Sequence, residues 1–376
     1  MALEEKIYKH TAQYNLFTHL NSWLSINPSH GCPLDCAYCV QEKDRWYSGK
    51  GVIREYTPEH TISLIENEPL MSKNRPIALY NFSDPFLPKN REDLCQILKS
   101  MDKKKYKNPV GLITKSLPDK KTFKTLKRLR HVKPIILVSY ANLPDKIVKA
   151  SKKNRLAVFK QAKKHKIPTI QYFRPTVREW YDDFEKSIRK SAEEVTPYAD
   201  AVCISGFIYT PEIKEKLIKR KVPLPDYEPN GGKHLRWEDR TDVMRIYHDV
   251  KPDIPIFSST SCAVSYILKI PNYNGYFPLR NLEGNGCNAP CIDEQRERCT
   301  KGRKISNSYL KKQFRHLDKK YERRGQVILV DDSFGMKNHY YIRHNTSHIT
   351  VKFSDQEKYG LTRKGWFRRV FRIILV

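Results

Sequence analysis

The chain has 376 residues, enough for one large domain with an appendage or for two unequal domains. Its 70 lysines and arginines outweigh 41 aspartates and glutamates, and the formal charge of +29 favours a polyanionic partner such as a nucleic acid. No apolar run approaches the roughly 18 residues that span a bilayer, which argues against a membrane protein. Nine cysteines, clustered and odd in number, predict a reducing, cytoplasmic compartment where thiols bind metals.

Apolar segments that favour strands alternate with amphipathic segments that favour helices. The predicted strands are a segment leading into Cys32 and then 77–81, 110–114, 134–139, 168–173, 200–205 and 254–258. The predicted helices include 91–101, 120–130 and 154–165. Such alternation indicates β-α units around a parallel sheet, with the site at the carboxyl-terminal strand ends. We therefore predict an α/β fold, a partial barrel of about six units open on one side, with a long loop over 225–240 near its rim.

Three cysteines share a short loop after the first of these strands. They are Cys32, Cys36 and Cys39, in the spacing C-x3-C-x2-C, with a glycine and a proline beside the first thiol. Three thiolates can hold three irons of a cubane cluster and leave the fourth iron open for a substrate or cofactor. The alternatives are a zinc site, for which His30 could supply the fourth ligand, and a chance cluster of thiols.

The spacing resembles that of the radical S-adenosylmethionine (SAM) superfamily, and Tyr38 stands where that family usually has an aromatic residue. The resemblance implies a 4Fe-4S cluster whose open iron is chelated by the amino and carboxylate groups of SAM. One electron then cleaves SAM to methionine and a 5'-deoxyadenosyl radical, so a reductant such as flavodoxin or ferredoxin is implied as a partner. The cofactor carries this chemistry, and the protein positions and shields it.

Further segments resemble one branch of the superfamily, the spore photoproduct lyase and DNA repair photolyase-like proteins, over about residues 20–210. They are Asn81-Phe82-Ser83-Asp84-Pro85-Phe86-Leu87-Pro88, Leu112-Ile113-Thr114-Lys115-Ser116, Val138-Ser139 and Asn154-Arg155-Leu156. The resemblance implies that Ser83 and Asp84 approach the amino group of SAM and that Lys115 binds its carboxylate. It likewise implies that Ser139 contacts the ribose or carboxylate and that Arg155 belongs to the cofactor site. A lysine suits a carboxylate, and an acidic neighbour suits an ammonium.

The sequence departs from this branch in one respect. A photoproduct lyase would be expected to offer a cysteine hydrogen donor close to its substrate, and no thiol of this chain is marked for that duty. Cys203 lies in a predicted strand and Cys95 in a predicted helix, where both are expected to act as small core residues. DNA repair is therefore not implied.

A second group of cysteines begins at Cys262, directly after the last predicted strand of the barrel, and continues with Cys287, Cys291 and Cys299. Four thiolates complete a tetrahedral zinc site or a fully ligated cubane. In a barrel Cys262 would lie on the catalytic rim, which predicts a metal near the chemistry. The spacing leaves three interpretations open, which are an auxiliary 4Fe-4S cluster, zinc and no metal. In a further alternative Cys262 is a free hydrogen donor.

The composition changes after Cys299. We predict three regions: the barrel over 1–265, a cysteine-rich segment over 266–305 and a small basic α+β appendage over 306–376. The appendage is predicted to contain a helix over 306–324 and strands over 326–330, 339–343 and 348–353. Its mixture of cations and aromatics suits a nucleic acid. In the alternative, Trp366 and Phe367 pack against the barrel while the arginines face water.

The leading hypothesis is a radical SAM enzyme that abstracts hydrogen from a nucleic acid or nucleotide, with a second cluster or zinc in the extension. The first alternative is the same chemistry on a peptide or a small metabolite. The second is a non-enzymatic module that binds metal and nucleic acid.

Overall fold

A computed structural model of the chain describes residues 16–19, 22–41, 51–274, 290–301, 305–315, 317–325, 327–330, 335–346 and 350–353. The strands are β1 Phe17–His19, β2 Leu24–Ile26, β3 Ser29–His30, β4 Ile53–Arg54, β5 Ile77–Leu79, β6 Pro109–Thr114, β7 Lys133–Ser139, β8 Thr169–Phe173, β9 Ala201–Ile204, β10 Phe207–Ile208, β11 Lys233–His234, β12 Ile256–Phe257, β13 Glu322–Arg324, β14 Val327–Val330 and β15 Thr350–Phe353. The helices are α1 Pro58–Asn67, α2 Arg91–Lys103, α3 Lys120–Arg128, α4 Lys152–His165, α5 Phe184–Val195, α6 Pro211–Lys219, α7 Trp237–Val250, α8 Thr260–Ile267, α9 Asp293–Thr300, α10 Asn307–Arg315 and α11 Gly335–Asn345. No helix in these ranges is long and apolar enough to cross a membrane.

Eight strands form the central sheet in the order β1-β2-β5-β6-β7-β8-β9-β12. The β1–β2 pair is antiparallel, and every other neighbouring pair is parallel. Strands β1 and β12 remain at the two ends of the sheet and do not pair with each other in the described part of the chain. The α/β fold with a partial, open barrel is thus confirmed.

Successive residues of each strand pack on opposite faces of the sheet, as strand geometry requires. On β7, Ile136 and Val138 pack into the core formed with helices α2, α3 and α4. Ile135 and Leu137 pack instead on the concave face, together with Trp23. The helices pack on the outer face of the sheet, so the concave face and the strand ends are available to form the site.

Side-chain caps explain where several helices begin. The residue that precedes each of helices α1, α3, α4, α5 and α6 accepts a hydrogen bond from a backbone N–H of the first turn. These caps are Thr57, Asp119, Ser151, Asp183 and Thr210. Serine, threonine and aspartate are favoured there because the first N–H groups of a helix have no partner within it.

Two parts of the chain differ from the sequence-based expectation. Residues 225–240 are not a continuous loop, because they contain β11 and the first turn of α7. In the appendage the predicted helix ends at Arg315, and residues 322–324 form a strand instead. The segment 339–343, predicted as a strand, lies inside α11. The region boundaries at 265 and 305 stay predictions.

Candidate active site

The loop with the first three cysteines follows β3, which pairs with β4 just after the carboxyl-terminal end of β2, at that edge of the central sheet. Gly31 has φ of +82°, and a Cβ at this position would lie 2.4 Å from the Gly51 carbonyl oxygen. Only glycine fits such a backbone without strain. Cys36 is buried, whereas Cys32 and Cys39 are partly buried. The loop thus brings three thiols to this edge.

Asp35, between the first two cysteines, ties the loop to the neighbouring helices. Lys216 Nζ lies 3.0 Å from one carboxylate oxygen of Asp35, and Lys149 Nζ lies 3.2 Å from the other. The Arg220 guanidinium also pairs with the carboxylate, and its Nη1 donates to the Asp35 carbonyl oxygen at 2.7 Å. These cations lower the pKa of Asp35 although burial opposes the shift. The aspartate is a positioning residue for the loop.

The thiols of this loop lie in a poorly solvated environment. Burial, and after it the charge of Asp84, raises the pKa of the Cys32 thiol to about 12. Burial and the neighbouring Cys36 raise the pKa of the Cys39 thiol. The raised pKa values mean that a free thiolate is unfavourable in this environment. Metal ligation deprotonates thiols, so an iron cluster would stabilise the thiolates through metal–sulfur bonds.

Lys115, directly after β6, is within electrostatic reach of the Cys32, Cys36 and Cys39 thiols. Its Nζ lies 5.5 Å from the centre of the Tyr38 ring. Burial alone lowers the pKa of the Lys115 ammonium, but the charges of Tyr38 and of the three cysteines more than offset that effect and raise it. The lysine therefore remains a cation beside the cysteine loop.

Asp84 connects the ends of β5 and β6. One carboxylate oxygen accepts from the Phe86 N–H at 3.0 Å and from Thr114 Oγ1 at 2.8 Å, and the other accepts from the Lys115 N–H at 2.7 Å. Burial raises the pKa of this carboxyl, and these hydrogen bonds oppose the shift. The carboxylate is thereby engaged in holding the Lys115 backbone. Ser83 has a similar link, since its Oγ donates to the Gly31 carbonyl oxygen at 2.6 Å.

Tyr38, Ser139 and Arg155 line the adjacent strand ends. The Tyr38 ring stacks on Trp180 with centroids 6.1 Å apart, and its hydroxyl shares a hydrogen bond with Ser139, the last residue of β7. Arg155, in the first turn of α4, is only 1% exposed, and its guanidinium lies 5.1 Å from the centre of the Tyr140 ring. Its Nε has no hydrogen-bond partner among the described residues. The predicted cofactor residues thus converge on one end of the sheet.

Two further residues of this site are missing from the sequence-based prediction. Gln41 Nε2 donates to the Asn81 carbonyl oxygen at 2.8 Å. The side-chain oxygens of both residues are buried and have no hydrogen-bond partner within the described part of the chain. Gln41 follows Cys39 by two positions, and Asn81 opens the segment that contains Ser83. Their closeness to the cysteine motif and to that segment is the signal that could have identified them.

The second cysteine group is described only in part, because Cys287 lies outside the described residues. Asn272 joins two of its members: its side-chain Nδ2 donates to the Cys262 sulfur at 3.2 Å, and its backbone N–H donates to the Cys299 sulfur at 3.3 Å. Cys291 packs in the same apolar cluster as Cys262. The sulfurs of Cys262 and Cys299 are hydrogen-bond acceptors, as sulfur ligands of metals commonly are.

In the ranges that the structure describes, no three histidine, cysteine, aspartate or glutamate side chains converge on the position of a single ion. In a cubane, by contrast, each thiolate binds a different iron. His30, the zinc alternative's fourth ligand, has its Nε2 2.7 Å from Glu55 Oε1. Three thiols with a cation beside them fit a cluster that has one open iron.

The structure confirms the prediction that the remaining two cysteines are core residues. Cys95 on α2 and Cys203 on β9 are both buried. Cys203 packs on the concave face of the sheet, in register with Tyr172 on β8 and with Phe257 on β12. Burial raises its pKa to about 11, so the group stays a thiol at neutral pH.

Solved structures of spore photoproduct lyase variants share this fold. A cysteine-to-serine variant gives a TM-score of 0.51 at 12% identity over 66% of this chain and 80% of its own. A double variant with bound AdoMet and dinucleoside spore photoproduct gives 0.50 at 12% identity, with the same coverage. Streptococcus suis SuiB bound to S-adenosylmethionine gives 0.40 at 11% identity over 65% of this chain and 47% of its own. No protein-family model and no curated protein matches the sequence.

The chain therefore shares the open α/β barrel fold of these spore photoproduct lyase structures. The resemblance to spore photoproduct lyase that the short sequence segments suggested is confirmed at the level of the fold, over two-thirds of the chain.

Proposed function

We propose that this chain is a radical SAM enzyme. The observation that carries the proposal is the place of Lys115, a cation at the end of β6 within electrostatic reach of all three thiols of the cysteine loop. Three thiolates suit a 4Fe-4S cluster with an open iron, and an ammonium beside them suits the carboxylate of SAM. The shared fold supports the assignment.

A bound 4Fe-4S cluster with SAM would supply reductive cleavage to a 5'-deoxyadenosyl radical, with one electron from a flavodoxin- or ferredoxin-like reductant. The chain's own residues bind and orient. Lys115 pairs with the SAM carboxylate, and Asp84 holds the Lys115 backbone in place through its 2.7 Å hydrogen bond. The side-chain oxygens of Gln41 and Asn81, which have no hydrogen-bond partner among the described residues, accept hydrogen bonds from the SAM amino group, since buried acceptors need a donor.

The opposite side of the cofactor site is formed by β7 and α4. Arg155, whose Nε has no partner in the described chain, supplies a buried cation for the carboxylate or an acceptor group of the ribose. Ser139 offers a hydroxyl to the ribose or carboxylate beside it. Tyr38 and Trp180 stack and exclude water from the cysteine loop. Ser83 fixes the entry to the loop at Gly31.

The test is a triple variant in which Cys32, Cys36 and Cys39 become alanine. Anaerobically reconstituted wild type should bind roughly seven to eight irons if both sites hold cubanes, and it should form 5'-deoxyadenosine after reduction. The triple variant should lose about half the iron and all cleavage. Cys95→Ala is the matched control, because it removes a thiol from α2 and should retain both properties. Undiminished 5'-deoxyadenosine formation by the triple variant would refute the assignment.

We further propose that Cys262, Cys287, Cys291 and Cys299 bind an auxiliary 4Fe-4S cluster or zinc. The N–H groups of Asn272 that donate to two of these sulfurs support the proposal, because such hydrogen bonds orient metal ligands and tune the potentials of iron–sulfur clusters. Elemental analysis of the purified protein distinguishes iron from zinc at this second site.

For the substrate we propose a nucleic acid or nucleotide. The charge of +29 supports a polyanion, and one structure with the same fold holds a dinucleoside photoproduct. The test is equilibrium binding to DNA and RNA as a function of salt, which should show a negative slope of log K against log salt. Absence of binding at low salt would leave the peptide or small-metabolite alternative.

A further inference from the structure

The concave face continues from the proposed SAM site to a second group of polar residues. Ser139, Tyr172 and Cys203 are neighbours in register on β7, β8 and β9. Residues in register on parallel strands point to the same side of the sheet. Tyr172 and Cys203 both pack on the concave face, and Ser139 contacts Tyr38 of the cysteine loop. Tyr172 therefore lies next to the cofactor site, one strand farther along.

The hydroxyl of Tyr172 receives hydrogen bonds from two different elements. Arg174, just after β8, donates from Nη1 at 3.4 Å, and Thr260, the first residue of α8, donates from Oγ1 at 3.2 Å. A phenol oxygen accepts through its lone pairs and keeps one O–H of its own to donate. Because the Tyr172 oxygen accepts both of these bonds, its own O–H is left to donate to a ligand.

Lys233 brings a second cation to the same place. It lies on β11 of the β10–β11 hairpin, opposite Ile208, and its ammonium is within electrostatic reach of Tyr172, Arg174 and Cys203. Burial, and with it the Arg174 charge, lowers the pKa of Lys233. Two cations therefore share one small region.

Neither cation has a carboxylate partner among the described residues. The charged groups that act on Lys233 are Tyr172, Arg174 and Cys203, and the hydrogen bond of the Arg174 side chain is to Tyr172. Elsewhere the chain pairs such arginines: Arg178 lies 2.7 Å from an Asp239 carboxylate oxygen. Two neighbouring cations repel each other unless an anion lies between them.

We propose that Arg174, Lys233 and Tyr172 form a subsite for a phosphate group of the substrate. The proposal rests on the proposed radical SAM function, because it assigns the concave face beside Ser139 to the substrate. Two positive charges match a phosphate, the guanidinium donates to its two non-bridging oxygens, and the tyrosine hydroxyl donates to one of them. The substrate is then a phosphate-bearing molecule, held by its phosphate near the cofactor.

The hairpin that carries Lys233 is held closely against the end of β9. A Cβ at Gly206 would lie 2.1 Å from the His234 carbonyl oxygen, so the two backbones touch at this glycine. Gly206→Ala would push the hairpin outward and move Lys233 without changing the net charge. It provides a test that is independent of charge removal.

The experiment uses the reconstituted full-length protein and two probes, a thymidine dinucleotide with a phosphodiester linkage and its neutral methylphosphonate analogue. Arg174→Gln and Lys233→Gln should each weaken binding of the phosphodiester about tenfold or more, the loss typical of a charged hydrogen bond. The neutral analogue should bind equally to all proteins. Gly206→Ala should also weaken phosphodiester binding. Arg128→Gln on α3 and Lys190→Gln on α5, both exposed, are matched controls that should retain wild-type affinity.

Three results would overturn the subsite: wild type that does not bind the phosphodiester, site variants that bind it as tightly as the controls, or an equal loss for the neutral analogue. If Arg174→Gln does not fold by circular dichroism, Lys233→Gln on the short β10–β11 hairpin decides alone. The proposed function is judged separately by 5'-deoxyadenosine formation in the wild type. Cleavage of SAM with unchanged phosphodiester binding in the variants overturns the subsite alone, whereas absence of cleavage overturns the function.

Discussion

Replacing Lys115 by methionine removes the ammonium and keeps an apolar stem of similar length. The hydrogen bond that positions this residue is made by its backbone N–H to Asp84 at 2.7 Å, so the substitution should leave the end of β6 in place. A charged hydrogen bond in a partly desolvated site contributes about 1.5–3 kcal/mol. We therefore expect the Kd of SAM to rise roughly 12- to 150-fold at 25 °C.

The assay is equilibrium binding of SAM to anaerobically reconstituted protein, with iron measured on the same samples. Lys115→Met should contain wild-type iron, because the lysine is not a ligand, and Lys115→Arg should recover part of the affinity. Lys124→Met on the exposed side of α3 is the control for loss of one positive charge. Equal SAM affinity in Lys115→Met and wild type would contradict the reasoning, since the cation would then have no carboxylate to bind.

Three further predictions concern the cysteine loop, the second metal site and the appendage. Asp35→Asn weakens the ion pairs that hold the cysteine loop, so iron retained after reconstitution and desalting should fall, and unchanged iron would exclude a positioning role. Cys287→Ala with Cys291→Ala should remove the second metal and spare the first cluster, and elemental analysis that shows no metal lost would contradict the auxiliary site. Lys311→Gln with Lys312→Gln on exposed faces of α10 should make the slope of log K against log salt shallower by about 0.7–0.9 for each lost phosphate contact. An unchanged slope would remove α10 from the nucleic-acid interface.

The barrel strands could be predicted well because each is a short apolar segment with turn residues on both sides. The segment 134–139 was expected as a strand and is found within β7, Lys133–Ser139, and 110–114 lies within β6, Pro109–Thr114. A buried parallel strand is apolar on both faces, so local composition alone identifies it.

The appendage shows the limit of local composition. The run His339-Tyr340-Tyr341-Ile342-Arg343 has residues that favour strands, yet it lies inside α11. Ile342 is fully buried there in a cluster with Leu310 and Phe314 of α10, so packing between the two helices overrides the intrinsic preference. Such an intrinsic preference is weak, and the secondary structure that a segment adopts depends on which element packs against its apolar face.

The three-cysteine loop and the positions of the barrel strands along the chain follow from the sequence itself. Ligand spacing and strand composition are local properties of a few consecutive residues. The sheet decides that Lys115 lies near thiols about 80 positions away and that Arg174 meets Lys233. It also decides that the side-chain oxygens of Gln41 and Asn81 have no hydrogen-bond partner among the described residues. Parallel strands bring their carboxyl ends together whatever their separation in the chain, and only the folded barrel decides which side chains meet there.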